Sequence, residues 1–285
     1  MRKKIKKITT ALLSLALAAT LLVGCGGSTE EPEESGTLPV GNINTGEKKK
    51  IAFTFDDGPH APAEDLDEGY FPYTEYILDK LEQTGMKATF FVLGERASSY
   101  GSTIKRAVSL GCEIGSHTYS HTSFKDMATA EASEIIKAAE AAIAAEGVPA
   151  PTLFRPVGGS ISEEQLAMTA SLGYSVIGWS IDPEDWKDKP KTWDKFADDP
   201  ERNARYEAFV NEKVDFIVNS AMDGDIVLLH DIYMSSVDIF IRAADKLIEQ
   251  GFELVTVSEL LGLDAQATAQ PVMYISKDMT INSMS

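Results

Sequence analysis

From residue 48 onward, short apolar runs alternate with longer segments whose apolar positions recur every three or four residues. The runs at 50–55, 88–93, 112–115, 152–155, 174–180, 225–230 and 252–257 predict seven strands. Between them, helical spacing predicts helices near 73–84, 103–110, 129–146, 161–172, 201–222 and 236–250. The first carries Ile77, Leu78 and Leu81 on one side and meets Gly85 as its stop. The third carries Ile136, Ala139 and Ile143 and ends at Gly147 and Pro149. The last carries Val237, Phe240, Ile241, Ala244 and Leu247. Strands alternating with helices imply parallel pairing under a helical cover. Seven such units predict an α/β domain, an incomplete (β/α) barrel of about seven parallel strands; a doubly wound open sheet is the alternative. The tail after Leu263 holds one weak strand candidate, Val272 to Ile275.

Upstream of residue 48 the pattern changes. Arg2, Lys3, Lys4, Lys6 and Lys7 precede an uncharged, mostly apolar stretch from Ala11 to Val23, too short for a comfortable membrane span. It ends Leu22-Val23-Gly24-Cys25, which resembles the lipobox of bacterial lipoproteins. The resemblance implies a signal peptide over 1–24, lipidation of Cys25 and display on the extracytoplasmic face of the bacterial cell membrane. Residues 25–47, rich in Gly, Pro and Glu, read as a flexible acidic tether. The domain organisation expected is then 1–24, 25–47, a folded domain over 48–263, and a tail over 264–285.

Charge and cysteine content narrow the partners. Losing the five N-terminal cations takes the formal charge from −18 to −23, a balance that excludes nucleic acid and anionic headgroups as partners. With Cys25 lipidated, Cys112 has no partner for an intrachain disulfide and reads as a small buried thiol. A monomer is expected. Two loops run longer than geometry requires. His60 to Pro72 holds Glu64, Asp65, Asp67 and Glu68 and reads as a solvated face. Asp182 to Pro200 holds Trp186, Trp193 and Phe196, which serve either packing or sugar stacking.

The candidate chemistry starts at the end of the first strand, in Thr54-Phe55-Asp56-Asp57-Gly58-Pro59. Two adjacent acids at a buried strand end need solvent, a cation or a metal. Two of the four histidines form His117-Thr118-Tyr119-Ser120-His121 directly after the third strand. Residues four apart on a helical turn share a face, a spacing that divalent metals exploit. Two imidazoles leave such an ion short of ligands, and the Asp56-Asp57 pair offers a carboxylate. Two His and one carboxylate with open positions is a catalytic pattern. Phe154-Arg155-Pro156-Val157-Gly158-Gly159 ends the fourth strand, Asp182-Pro183-Glu184-Asp185-Trp186 follows the fifth, and Leu228-Leu229-His230-Asp231 ends the sixth. All five clusters fall at C-terminal strand ends, where parallel barrels build active sites.

These blocks, in this order, resemble the polysaccharide deacetylases of carbohydrate esterase family four, the NodB homology domain, over about residues 48 to 262. The likeness includes Lys87 to Gly94 and Glu253 to Leu261. It implies a distorted, incomplete barrel and metal-dependent removal of N-acetyl groups from a glycan. It makes Asp56 the general base, with Arg155 against it. Asp57, His117 and His121 become ligands to a divalent metal, zinc by ligand type, with cobalt, nickel and manganese also fitting. His230 becomes the general acid, oriented by Asp185, while Trp186 and Leu228 line the acetyl pocket. Where the family commonly has Pro-Tyr-Gly, this chain has Val157-Gly158-Gly159, so the oxyanion N–H falls to Gly158 without the aromatic side chain beside it. A tethered enzyme outside the membrane faces cell wall, which points to peptidoglycan N-acetylglucosamine. Chitin oligosaccharides and O-acetyl xylan are alternatives. From other classes, a glycan-binding lipoprotein without turnover and a metal-scavenging lipoprotein are the rivals.

Overall fold

The computed structural model describes residues 48–60, 72–187, 199–264 and 268–282. The expectations placed on Cys25, the signal peptide, the tether, the acidic face at Glu64, Asp65, Asp67 and Glu68, and Trp193 and Phe196 lie outside them. In chain order the elements are β1 (Lys49–Asp56), α1 (Tyr73–Thr84), β2 (Thr89–Val92), α2 (Gly94–Ala97), α3 (Gly101–Ser109), β3 (Glu113–Ser116), α4 (Thr129–Ala144), β4 (Leu153–Phe154) and α5 (Glu163–Ser171). They continue with β5 (Ser175–Ile177), α6 (Pro200–Ser220), β6 (Ile226–His230), α7 (Met234–Glu249), β7 (Phe252–Leu254), α8 (Val257–Leu261), β8 (Met273–Ser276) and β9 (Met279–Ile281).

The sheet runs β6-β1-β2-β3-β4-β5-β8-β9, parallel throughout except for the β8–β9 hairpin. β7 pairs with the first half of β1 and β2 with its second half, so one strand serves two neighbours along the same side of the sheet. The segment after β5 returns to β6: Leu228 N–H donates to Ile181 carbonyl at 2.9 Å. That contact curls the sheet into a distorted, incomplete (β/α) barrel. The seven strands expected from the apolar runs are all present, although β4, β5 and β7 are shorter than their runs, and Val257 of the last run opens α8 instead. The tail, set apart at residue 264 on pattern alone, adds β8 and β9 to the same sheet. Among the described residues no helix is long and apolar enough to cross a membrane.

Strand alternation sorts the core into two layers. On β1 and β6, Phe53, Phe55, Val227 and Leu229 join one large cluster with Ile77, Leu78 and Leu81 of α1, Val210 and Val214 of α6, and Phe240 and Leu247 of α7. The opposite face places Ala52 and Ile226 in a separate cluster with Phe91, Leu153 and Ile177, which is the barrel interior. Two residues further along β1 and β6, the same inward face carries Thr54 and Leu228, then Asp56 and His230. The register aligns each pair: Thr54 opposite Leu228, Asp56 opposite His230. Apolar burial therefore fixes the inward direction that delivers a carboxylate and an imidazole to one rim.

Candidate active site

Arg155 follows β4 and is completely buried. A buried guanidinium needs its donors filled, because each unmet one costs desolvation. Its Nη1 donates to Asp56 Oδ1 at 2.8 Å and to Thr54 Oγ1 at 2.7 Å. Nη2 donates to Gly178 carbonyl at 2.7 Å and Nε to Ile177 carbonyl at 3.2 Å. The plane lies over the Phe91 ring, 4.1 Å from its centroid. Thr54 passes its own proton to Val227 carbonyl. Burial pushes the Arg155 pKa down while the Asp56 carboxylate works against that.

Asp57 and the two histidines converge next to this pair. His117 Nδ1 lies 2.8 Å from Arg155 carbonyl, which accepts its N–H and turns Nε2 toward the carboxylates. Nε2 is 3.5 Å from Asp57 Oδ1 and 3.6 Å from Asp56 Oδ2. His121 Nε2 lies 3.2 Å from the same Asp57 oxygen. The helical turn expected at 117–121 is absent. The rings meet because Thr118 and His121 adopt φ of 69° and 56°, and Asp57 adopts 73°. Left-handed backbone at three non-glycine positions is strain, and it sits on the turns that aim these side chains.

The three fit a divalent metal. One ligating atom from each lies within 4.8 Å of the others. Asp57 Oδ1 is buried between the two imidazoles without a well-aligned hydrogen bond from either, an acceptor that a cation shared by all three would satisfy. Burial acts to raise the Asp57 pKa, but His121, His117 and His230 outweigh it and hold the carboxyl at about 2. Burial holds His117 below the usual histidine value, and so toward the neutral form that metals require.

Across the rim, Asp185 is fully buried and binds His230 twice, through Nδ1 at 2.8 Å and the backbone N–H at 2.9 Å. Ser236 of α7 also donates its hydroxyl to this carboxylate. Burial lowers the His230 pKa, but Asp185, joined by Asp56 and Asp57, raises it to about 9. The ring is therefore cationic at neutral pH. Leu228 is buried on the inward face and Trp186 is 46% exposed just beyond Asp185. Gly158 is exposed on the tight turn Val157–Gly159 at φ 62°, and a Cβ there would meet nothing within 4 Å.

Sequence reasoning missed Thr54, Phe91 and Ser236, which position Arg155 and Asp185. It also missed Asp231, completely buried with a carboxyl that burial pushes up to about 7. Asp231 accepts the Thr74 hydroxyl and packs so tightly on Gly58 that a Cβ there would fall 2.1 Å from its oxygens. Thr54 was within reach, since it lies two residues before Asp56 on one strand face. Ser236 gives no local signal.

Known proteins resemble this chain in sequence and in fold. The sequence profile of the polysaccharide deacetylase family matches residues 43–177. The chain is 35% identical over 234 residues to the peptidoglycan-N-acetylmuramic acid deacetylase PdaC of Bacillus subtilis, covering 82% of this chain and 43% of that protein. The solved structure of PdaC superposes with a TM-score of 0.61 at 37% identity, over 75% of this chain and 90% of that one. A peptidoglycan-N-acetylglucosamine deacetylase of Bacillus cereus is 33% identical over 217 residues, 75% of this chain and 89% of that one. A family 4 acetyl xylan esterase from Clostridium thermocellum, solved with a cobalt ion, superposes with a TM-score of 0.64 at 26% identity, over 81% of this chain and 100% of that one. This chain spans under half of the full PdaC sequence. The chain belongs to the polysaccharide deacetylase family.

Proposed function

We propose that this protein is a metal-dependent hydrolase that removes N-acetyl groups from a cell-wall glycan, with peptidoglycan N-acetylglucosamine as its substrate. The observation that carries the reading is the convergence, at one rim, of an Arg155–Asp56 pair, an Asp57–His117–His121 triad and a His230–Asp185 pair. Neither glycan binding nor metal scavenging has a use for all three. Relatives whose names specify peptidoglycan deacetylation support the substrate class.

In this mechanism Asp57, His117 and His121 hold the ion, zinc by ligand type. Bound there, a divalent cation would supply Lewis acidity toward the acetyl carbonyl and the attacking water. Asp56 takes the proton of the attacking water, and Arg155, 2.8 Å from its Oδ1, fixes the carboxylate in direction. The Gly158 N–H helps hold the oxyanion that forms at the acetyl carbonyl oxygen when water adds to its carbon. An amine leaves poorly unless protonated, so His230 delivers its proton to the nitrogen, while Asp185 fixes the ring and favours its cationic form. Leu228 and Trp186 enclose the acetyl methyl. Acetate and a free sugar amine are the products.

The placement proposed is extracytoplasmic, through a signal peptide over 1–24 and a lipid on Cys25, with the domain acting as a monomer. The deciding experiment measures acetate release from N-acetylglucosamine oligomers and from purified peptidoglycan, with chelator and after zinc is restored. Release abolished by chelator and recovered with zinc is expected. Metal binding with no acetate from either glycan would overturn the reading.

A further inference from the structure

Three arginines of the described fold face carboxylates. Arg155 meets Asp56, Arg106 meets Glu75, Asp79 and Glu82, and Arg242 meets Glu207. Arg96, half-buried on α2, differs: among the described residues no carboxylate lies within ion-pair distance of it. Among the described residues its side chain makes one hydrogen bond, a long one from Nη1 to Pro59 carbonyl at 3.4 Å, and its buried Nε has no acceptor. Unlike Arg202 and Arg205 on α6, it stands at the C-terminal end of a central strand of the sheet, in a chain of net charge −18.

Its position gives the isolation a use. α2 follows β2, which lies between β1 and β3 in the sheet, at the rim where the site is built. The backbone N–H groups of Gly94 and Glu95 donate to Thr118 and Tyr119 carbonyls, inside the turn that carries both histidines. The guanidinium leans on Pro59, two residues past Asp57. Arg96 thus stands between the two turns that bear Asp57, His117 and His121. Its positive charge reaches His60 and Asp231 nearby.

We infer that Arg96 is an anion-recognition residue of the substrate groove, taking a carboxylate carried by the glycan beside the acetamide that is hydrolysed. The word substrate rests on the deacetylase reading above. A guanidinium is suited to the task, because its planar donors match a carboxylate in pairs and, among the described residues, only Nη1 is committed. The net charge of the protein opposes an anionic polymer, but salt screens that repulsion beyond about 8 Å. A single cation at contact distance then decides whether a carboxylated sugar seats or is turned away. An arginine that served only as a brace would be expected to bind as Arg155 does, with its donors filled by protein acceptors.

The test is calorimetric binding to the zinc-loaded full chain, in an Asp56→Asn background so that ligands survive the titration. Two tetrasaccharides are compared: neutral N-acetylglucosamine, and N-acetylglucosamine alternating with N-acetylmuramic acid bearing free lactyl carboxylates. Arg96→Gln is expected to weaken the carboxylated ligand about tenfold, the size of one charge-assisted hydrogen bond, and leave the neutral one unchanged. The salt dependence of carboxylate binding should vanish with it, and Arg96→Lys should fall between. Thermal melts confirm that both variants fold. Equal loss for both ligands, or no loss for either, overturns the inference and leaves Arg96 a brace for the Pro59 turn. Acetate release from the neutral oligomer, with Asp56 intact, is scored separately. Its absence beside a selective binding loss would sink the deacetylase reading while the Arg96 assignment stands.

Discussion

The two faces of β1 and β6 share one backbone and do opposite things. Outward, Phe53, Phe55, Val227 and Leu229 are apolar and fully buried under the helices. Phe55 stacks on Phe90 with ring centroids 5.1 Å apart and meets Phe240 edge-on at 5.2 Å. Inward, polarity rises toward the rim, from Ala52 through Thr54 to Asp56 and from Ile226 through Leu228 to His230. The outer face stabilises in proportion to the area it hides from water. The inner face holds a buried ion pair, and such pairs barely repay their desolvation. What it gains is direction: a carboxylate locked by Arg155 and an imidazole locked by Asp185. The fold is secured on one side of the strands so that the other can carry strain and charge.

The largest expected effect lies on the inner face. Asp56→Asn should lower acetate release by about 10²- to 10⁴-fold, the range for losing a general acid or base. Zinc affinity, measured by competition with a chromogenic chelator, should be nearly unchanged because the ligands remain. If turnover survives, the inner face is not where the proton goes. Arg155→Met comes next: it strands a buried carboxylate and should cost about 3–5 kcal/mol by urea unfolding. Adding Asp56→Leu should return much of that stability and no activity, which separates what the pair does for folding from what it does for chemistry.

The outer face supplies the contrast. Phe55→Ala should also cost about 3–5 kcal/mol, through the cavity it leaves between Phe90 and Phe240. Activity per folded molecule should hold, because Phe55 points away from Asp56. A collapse in kcat matching that of Asp56→Asn would mean the faces are mechanically coupled and the division drawn above is false.

The same division governs how much was legible in the sequence. The outward residues announce themselves by period, since a run such as Ile51-Ala52-Phe53-Thr54-Phe55 is apolar enough to read without knowing its neighbours. Helices with a long apolar stripe and a glycine stop were equally plain, α1 ending at Gly85 in left-handed backbone. The four-residue α2 and five-residue α8 are too short to show a period. β8 is a strand only because Val176 and Ile177 offer Met273 and Tyr274 a ladder, and no property of Val272 to Ile275 reveals that partner. In the site, ionisable residues at strand ends were visible from their positions. Their supports were not, because Ser236 reaches Asp185 from another helix and Phe91 reaches Arg155 from another strand. The mode of His convergence was misread for a related reason. Spacing of four suggests a helical turn, whereas the bond from His117 Nδ1 to Arg155 carbonyl and the left-handed Thr118 do the aiming.

The smallest effect, and the subtlest check on the inner face, is the titration of His230. Its pKa is held at about 9 in the folded chain, against 6.5 for a free histidine. A base whose pKa rises on folding adds stability that is complete below its unfolded pKa and is lost as pH climbs through the folded one. Chelated protein should therefore lose on the order of 3 kcal/mol between about pH 6.5 and about pH 9 by urea unfolding, and His230→Gln should lack that slope. Asp185→Asn should flatten it as well, since the neighbouring carboxylate does most to hold the imidazolium proton. The outward variant Phe55→Ala should shift the whole curve down without changing its shape. A slope that survives in His230→Gln would place the titrating group elsewhere, and the His230–Asp185 pair would then be a geometric contact with no electrostatic part in holding the rim together.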